Sequence, residues 1–258
     1  MGRKHIVIPD TQCKQGVPME HLHHIGNCIV DEKPDVIVHL GDHFDMPSLS
    51  SYDKGKRVAE GRRIHQDFDA GHQGMNVLMF PINSYNLRKE KNRKKKYNPE
   101  MHFCLGNHEE RLNRHIDSHP ELEGLMKWPD AFKLDKYGWK VHEFKEVVEI
   151  DGINYVHYFY NPNSGKPYGG TCHTKLKNIG HSFIQGHQQG LDMATRTTNM
   201  GVAQWGIVAG SCYLHDEAYR GPQANIHWNG ILILDEVQDG NFDLRVLSLD
   251  SLRRKYGG

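Results

Sequence analysis

Three short apolar runs, each ending in polar residues, constrain most strongly what this chain can fold into. They lie at residues 5–10 (HIVIPD), 35–42 (DVIVHLGD) and 101–108 (MHFCLGNH). Continuous β-branched and apolar runs of this length are typical of strands that are buried on both faces of a parallel sheet. Residues 18–31 are long enough to supply a crossover helix between the first two runs. The sequence therefore predicts an open α/β sheet whose functional site lies outside the carboxyl ends of its strands.

The second half of the chain has shorter runs and more turn residues. Residues 147–157 form two alternating runs around Asp151-Gly152, which is a strong hairpin signal. A turn-rich loop is expected over residues 161–170, then a short helix over 174–179 and a strand within 182–187. Apolar runs at 207–209, 230–234 and 244–249 predict strands of a second sheet. We expect one domain over residues 1–258, with a polar helical insertion at about 55–97 made of helices near 56–80 and 82–96.

Charge and cysteine content exclude several classes of protein. Thirty-two Lys and Arg balance thirty-two Asp and Glu, so binding of nucleic acid or membrane through overall charge is not indicated. No apolar run approaches about eighteen residues, so no membrane partner is expected. Five cysteines without Cys-x-x-Cys spacing argue against a disulfide framework and a zinc ribbon. With no secretory signal at the N-terminus, a reducing, cytoplasmic location is expected.

The neutral total hides one strongly basic segment. From Arg88 to Lys96 the sequence RKEKNRKKK holds seven basic residues and one acidic residue. Such a run either contacts the phosphate backbone of a nucleic acid or forms a solvated helix end, and the sequence leaves both open.

Histidine is abundant, with nineteen residues in 258, which directs attention to a metal or catalytic site. Five motifs rich in metal-ligand residues follow one another at strand ends and in loops: Asp10-Thr-Gln12, Gly41-Asp-His-Phe-Asp45, Gly106-Asn-His-Glu109, His157 and Gly186-His-Gln-Gln189. This succession resembles the calcineurin-like metallophosphoesterase superfamily in its phage and bacterial type. The family pattern is D-x-H, G-D-x-x-D, G-N-H-[D/E], H and G-H-x-H, and the resemblance covers residues 10 to 189.

The resemblance implies a four-layer αββα sandwich that holds two divalent metal ions. One metal would be bound by the side chains of Asp10, Gln12, Asp42 and Gln189. The other would be bound by those of Asp42, Asn107, His157 and His187, so that Asp42 bridges the pair. Two cations about 3.5 to 4 Å apart can neutralise a phosphoester and generate a bridging hydroxide that attacks phosphorus.

Gln12 and Gln189 depart from the family pattern, which has histidine at both positions. Both glutamines belong to the same proposed metal site. An amide oxygen is a neutral, hard ligand, whereas an imidazole nitrogen suits zinc or iron better. The change therefore favours Mn²⁺, with Mg²⁺, Ni²⁺, Zn²⁺ or Fe as alternatives, or weakens that site.

Other residues are assigned roles around the proposed metals. His108 occupies the position of the family's non-ligand histidine, which protonates the leaving oxygen or stabilises the transition state, so His108 and Asp42 are the expected catalytic pair. Arg111, His215 and Arg220 are candidate contacts to the substrate, each with a structural role as the alternative. Tyrosines at positions 158, 160 and 168 either stack on a base or pack within the fold.

The expected activity is metal-dependent hydrolysis of phosphoesters, favouring phosphodiesters in nucleic acid or nucleotides. The basic run and the candidate stacking tyrosines are the features that favour diesters. Two alternatives stay open. The first is a phosphomonoesterase acting on nucleotides or proteins, and the second is a degenerate member that binds nucleic acid or protein without hydrolysis.

Overall fold

Two β-sheets lie face to face in the computed structural model, which describes residues 2–217 and 227–257. The first sheet has the strand order β11-β10-β1-β2-β3-β4, and the second has the order β5-β6-β7-β9-β8. The strands are β1 (Arg3–Ile8), β2 (Val36–His39), β3 (Glu100–Cys104), β4 (Lys140–His142), β5 (Val148–Ile150), β6 (Ile153–Val156), β7 (Phe183–Gln185), β8 (Leu191–Thr197), β9 (Ala203–Ala209), β10 (Gly230–Gln238) and β11 (Asn241–Ser248). The helices are α1 (Glu20–Glu32), α2 (Ile64–Lys91), α3 (Glu110–Ser118), α4 (Trp128–Phe132), α5 (Cys172–Ile179) and α6 (Leu249–Tyr256).

The apolar core is divided into three layers of contact, which confirm the predicted four-layer αββα architecture. One layer packs α1, α2 and α6 against the first sheet, with Leu22 and Leu78 among its buried members. A second lies between the sheets, where Val38 and Tyr155 are buried. The third packs α5 against the outer face of the second sheet through residues such as Leu176.

The three strands expected from the apolar runs are present as β1, β2 and β3, and they are parallel. Ile6 pairs with Ile37, and Ile37 pairs with Met101. Helix α1 is the predicted crossover, and the 147–157 hairpin is formed by β5 and β6. Because the strands run in parallel, their carboxyl ends meet at one edge of the sheet.

The predicted assignment of the last two strands to the second sheet is wrong, whereas β9 does belong there. Strand β10 pairs antiparallel with β1, with Ile6 opposite Ile233, and β11 pairs with β10. An apolar run identifies a buried strand but does not say which of two sheets it joins. The first sheet is thus built from both ends of the chain.

The polar insertion also differs from expectation, because α2 is one continuous helix rather than two. Pro81 lies within it and is buried against α1, where a Cβ on Gly26 would lie 2.8 Å from Pro81 Cγ. Contact with α1 therefore stabilises a helix that proline would otherwise interrupt. Within the described ranges, no helix is long and apolar enough to cross a lipid bilayer.

Candidate metal centre and cavity

Loops at the carboxyl ends of five strands bring the predicted metal ligands together. Asp42 follows β2, His157 follows β6 and His187 follows β7; one ligand atom from each lies within 4.8 Å of the other two. His157 Nε2 is 2.9 Å from Asn107 Oδ1 and 3.3 Å from Asp42 Oδ2. The four side chains that were expected to hold one metal ion are therefore neighbours.

The second predicted set of ligands adjoins the first through Asp10. Its Oδ1 accepts a hydrogen bond from the backbone N–H of His187 at 3.1 Å. Asp10 Oδ2 and both amide atoms of Gln12 are buried and have no hydrogen-bond partner within the described part of the chain. Buried polar atoms are nearly always paired, because leaving them unpaired costs free energy. A divalent cation with oxygen ligands fits this donor set.

Gln189, the remaining predicted ligand, lines the cavity described below. The hydroxyl of Tyr213 donates a hydrogen bond of 2.8 Å to Gln189 Oε1. This contact orients the Gln189 side chain at the cavity. Sequence reasoning did not find Tyr213.

Several of these residues have strained backbones. Gln12, Asp42, His187 and Gln189 all have left-handed conformations, with φ of 39°, 48°, 68° and 61°. Residues other than glycine rarely adopt such angles, and those that do cluster at functional sites. A Cβ on Gly106 would lie 2.1 Å from Asp42 Oδ1, so a glycine is required where the loop after β3 approaches this carboxylate.

Glu109 holds two of the loops in place. Its buried carboxylate accepts backbone hydrogen bonds from Asp42 at 2.9 Å, His43 at 2.7 Å, Phe44 at 2.8 Å and Gly106 at 2.8 Å. Four N–H donors satisfy the carboxylate fully. Glu109 therefore orders the loops that carry Asp42 and Asn107.

The charges at the centre stabilise one another. Burial lowers the pKa of His157, but Asp42 and Asp10 outweigh it and raise the pKa to about 9. Burial raises the pKa of Asp42, but His108 and His157 outweigh it and hold the pKa well below its usual range. Burial raises the pKa of Asp10 to about 7, where His157 opposes the shift and Asp42 adds to it. The two carboxylates thus favour positive charge between them, carried by an imidazolium or by a cation.

A cavity of about 460 Å³ opens directly onto the centre. The described residues that line it are Lys14, Asp42, Asp45, Pro47, Ser50, Tyr52, Asp53, Val58, Arg62, Asn107, His108, Arg111, His187, Gln189, Asp216 and Glu217. Their Asp and Glu side chains number five and their Lys and Arg side chains number three. The wall thus carries an excess of negative charge next to the candidate ligands.

His108 is held between an acidic and a basic side chain at the wall of this cavity. Its Nδ1 lies 2.6 Å from Asp45 Oδ1, and its Nε2 lies 2.9 Å from Arg111 Nη2 and 3.7 Å from Asp42 Oδ2. Burial and Arg111 lower the pKa of His108, but the carboxylates of Asp42 and Asp45 outweigh them and raise it. The ring is oriented by Asp45, the last residue of the second motif.

The three residues predicted to contact the substrate differ in their positions relative to the cavity. Arg111 lines the cavity, whereas His215 does not line it and pairs at 2.8 Å with Glu217, which does. Arg220 lies outside the described residues.

The candidate nucleic-acid contacts are not found at the cavity. None of the described lining residues belongs to the segment from Arg88 to Lys96. That segment directly precedes Tyr97, whose hydroxyl donates a hydrogen bond to the carbonyl of Pro34, just before β2. The basic segment therefore lies near the amino ends of the parallel strands, whereas the cavity lies at their carboxyl ends. The tyrosines at 158, 160 and 168 do not line the cavity either, and Tyr158 packs on His187 with ring centroids 4.7 Å apart.

Sequence reasoning missed part of the cavity wall. Lys14 and most of the lining residues between positions 47 and 62 come from loops that follow the first and second motifs. Their nearness to those motifs in the chain is the signal that was available. Nothing in their own pattern distinguishes them from ordinary surface loops.

Comparison with known proteins gives distant similarities that span nearly the whole chain. No protein-family model matches it. The Gene 54 protein of Mycobacterium phage D29 is 23% identical over an alignment of 260 positions that covers 91% of this chain and 90% of that protein. A solved structure from Streptococcus pneumoniae TIGR4, described as a conserved uncharacterized protein and predicted phosphoesterase, has a TM-score of 0.38 and 11% identity, covering 97% of this chain and 91% of that one. A protein of Thermus thermophilus has a TM-score of 0.32 and 9% identity over 95% of this chain and 99% of its own.

Proposed function

We propose that this protein is a metal-dependent phosphoesterase of the calcineurin-like superfamily that hydrolyses phosphodiesters of the nucleotide type. The observation that carries the proposal is the convergence of Asp42, His157 and His187, whose ligand atoms lie within 4.8 Å of one another. They come from three different strand ends, so only the fold brings them together. The order of the five sequence motifs supports the same conclusion.

Two cations fit the donor groups. Asp42, Asn107, His157 and His187 would hold one, and Asp10, Gln12, Asp42 and Gln189 would hold the other. The oxygen-rich second set favours Mn²⁺ or Mg²⁺. When bound, the cations would neutralise phosphate oxygens and lower the pKa of the attacking water.

The charge of the cavity explains why cations are needed for an anionic substrate. Its described lining has two more carboxylates than Lys and Arg side chains, and these cations are paired with acids, as in Lys14–Glu217 at 2.6 Å and Arg62–Asp53 at 2.7 Å. A phosphodiester would be repelled by this wall. One divalent ion offsets the excess of charge, and a second makes the cavity attractive to an anion.

In the proposed reaction His108 supplies a proton to the leaving oxygen. Asp45 accepts a hydrogen bond from Nδ1, which leaves Nε2 facing the cavity near Asp42. The raised pKa of His108 keeps this proton available at neutral pH. Arg111 Nη2 lies 2.9 Å from the same nitrogen, and because a guanidinium only donates, Nε2 accepts this bond. Transfer of Arg111 to a phosphate oxygen of the substrate would free Nε2 to carry the proton.

The size of the cavity supports a nucleotide-sized substrate. About 460 Å³ is in the range of small-molecule sites. The basic segment lies near the amino ends of the parallel strands, away from the cavity. Any contact it makes with a longer nucleic acid would be separate from the metal centre. A phosphomonoesterase remains the second candidate, because the cationic groups of the wall suit either ester.

The test is hydrolysis of bis-p-nitrophenyl phosphate and p-nitrophenyl phosphate with Mn²⁺, Mg²⁺, Ni²⁺ or Zn²⁺. We expect turnover only with metal and faster turnover of the diester. Asp42→Asn should lower the rate at least about 100-fold, because it removes the carboxylate that both ions would share. Asp250→Asn, at an exposed position far along the chain, serves as the control.

Three outcomes separate the alternatives. Faster hydrolysis of the monoester would identify a phosphatase. Metal binding without hydrolysis of these esters, DNA or RNA would support the non-catalytic alternative. A near-wild-type rate in Asp42→Asn would contradict the assignment of the centre.

A further inference from the structure

One part of the cavity wall carries exposed apolar side chains. It is formed by the loop between β2 and α2, which contributes Pro47, Ser50, Tyr52, Asp53, Val58 and Arg62. Tyr52 is 76% exposed and Val58 is 43% exposed. Among the described lining residues, Tyr52 is the one with a phenol ring, and the others offer no comparable aromatic surface apart from imidazoles. An aromatic ring left open beside a phosphoester centre is available to a ligand.

The loop that presents Tyr52 is braced at several points. Arg62 Nη1 donates to Asp53 Oδ2 at 2.7 Å and to the carbonyl of Pro47 at 3.0 Å. Ser48 donates to Asp67 of α2 through its backbone N–H at 2.9 Å and through its hydroxyl at 2.5 Å. These bonds join the two ends of the loop to each other and to α2. The ring is therefore presented on a preorganised support, which reduces the entropy cost of binding.

The neighbours of Tyr52 point to the kind of ligand. His108, Arg111 and the candidate metal ligands lie on the same cavity, so an anion and a flat apolar group can be bound together. Stacking on an aromatic ring is tolerant of sequence because every base has a π-face. A simple alkyl phosphate would leave the wall around Tyr52 and Val58 uncovered.

We propose that Tyr52, supported by Val58, stacks on the nucleobase of a substrate whose phosphate lies at the metal centre. The position of the phosphate rests on the proposed function. The assignment makes Tyr52 a specificity-determining residue that favours nucleotide-type esters over small alkyl esters. It replaces the tyrosines at 158, 160 and 168, which the sequence had suggested for this role.

The test compares two anions that differ by the nucleoside. Binding of adenosine 5′-monophosphate and of methyl phosphate to the Mn²⁺-loaded protein is measured by titration calorimetry. We expect the wild-type protein to prefer the nucleotide. Tyr52→Ala should weaken nucleotide binding about tenfold and leave methyl phosphate binding unchanged, because one stacking contact is lost. Tyr52→Phe should retain the preference, since its ring stacks equally well.

Tyr160→Ala is the matched control, because Tyr160 is exposed but does not line the cavity. Three results would overturn the proposal: no binding of either anion, equal binding of both by the wild-type protein, or a loss in Tyr52→Ala no larger than in Tyr160→Ala. A different result would show that the proposed hydrolase function is wrong. If no ester is hydrolysed with any metal while nucleotide binding depends on Tyr52, the subsite stands and the hydrolase assignment falls.

Discussion

Three buried carboxylates at the centre have different partners, although two of them come from one five-residue motif. Asp42 faces His157 Nε2 at 3.3 Å, whereas Asp45 contacts His108 Nδ1 at 2.6 Å. Glu109 accepts four backbone N–H groups. Asp42 therefore has the surroundings of a metal ligand, and Asp45 those of a residue that orients an imidazole for proton transfer. Glu109, whose carboxylate is satisfied by backbone N–H groups, orders the loops.

The first prediction concerns His108. His108→Ala should reduce turnover about 100-fold or more while metal content stays unchanged, because the imidazole donates a proton without ligating metal. Metal content is measured by elemental analysis beside the rate on bis-p-nitrophenyl phosphate. His115→Ala, in α3 and partly exposed, is the control. Loss of metal along with activity would show that His108 is a ligand instead.

The second prediction concerns the amide ligand Gln12. Gln12→His should tighten binding of Zn²⁺ about tenfold or more in titration calorimetry, because imidazole binds this ion better than a neutral amide. Both amide atoms of Gln12 are buried without a protein partner in the described ranges, so the change breaks no hydrogen bond. Gln188→His adds an exposed histidine nearby and should have no effect. An affinity unchanged in Gln12→His would argue against ligation at this position.

Sequence reasoning identified these residues by type and order but not by contact. Asp42, His157 and His187 were selected because they follow strand ends, and the structure brings them together. The link from Asp45 to His108 and that from Tyr213 to Gln189 depend on side-chain direction across loops far apart in the chain. A motif does not encode such directions.

At the scale of elements, α2 packs closely against the loops that follow β1 and β2 and supports them. A Cβ on Gly71 would lie 2.0 Å from Phe44 Cδ1, and one on Gly74 would lie 2.3 Å from Cys13 Sγ. Phe44 is fully buried and packs on Phe132 with ring centroids 4.5 Å apart. The small residues of α2 therefore set how closely the helix can support the metal-centre loops.

The third prediction tests this contact. Gly71→Ala should lower the free energy of unfolding by about 2 kcal/mol, because the buried Phe44 ring must move, and this overpacking cost exceeds the gain in helix propensity. Urea denaturation measures the change. Gly169→Ala, where an added Cβ meets nothing within 4 Å, is the control and should be near neutral. Equal stabilities of the two variants would show that Phe44 repacks freely.

Elements were predicted where local pattern and burial agree. The continuous apolar runs of β1, β2 and β3 gave the right strands, as did the Asp151-Gly152 turn, where both residues have positive φ. Strand β8 (LDMATRT) was missed because polar and half-exposed residues dominate it. The path of α2 through Pro81 and the return of β10 to the first sheet depend on distant neighbours, which local pattern does not contain.

At the scale of the whole molecule, an ion network joins both ends of the chain. Arg245 of β11 contacts Glu32 of α1 at 2.8 Å and Asp235 of β10 at 2.6 Å, and Lys4 of β1 contacts Glu32 at 3.0 Å. Arg245, opposed by burial and helped by Lys4, lowers the pKa of Glu32 to about 2. We propose that the chain is one domain, since its first sheet needs strands from both ends.

The fourth prediction follows from this network. Glu32→Gln should lower the free energy of unfolding by about 1 kcal/mol at about pH 7, a modest value because the pair is partly solvated. Because the pKa of Glu32 is lower in the folded state than in the unfolded state, its ionised carboxylate stabilises the fold fully at pH values above the unfolded pKa, near 4.5. This stabilisation is lost as the pH falls through the folded pKa, about 2. The difference between wild type and variant should therefore shrink between these values in urea denaturation. Glu149→Gln, at an exposed position, is the control; a pH-independent difference would exclude the ionic contribution.

The place of β10 beside β1 has a consequence for synthesis on the ribosome. Ile6 and Ile233 are partners, so the edge of β1 stays open until more than two hundred later residues have emerged. Contacts so distant in sequence form slowly, and an uncovered apolar strand edge can pair with another chain. The nascent chain is therefore most prone to aggregation before β10 has been synthesised. Chains truncated before β10 should accumulate as insoluble material.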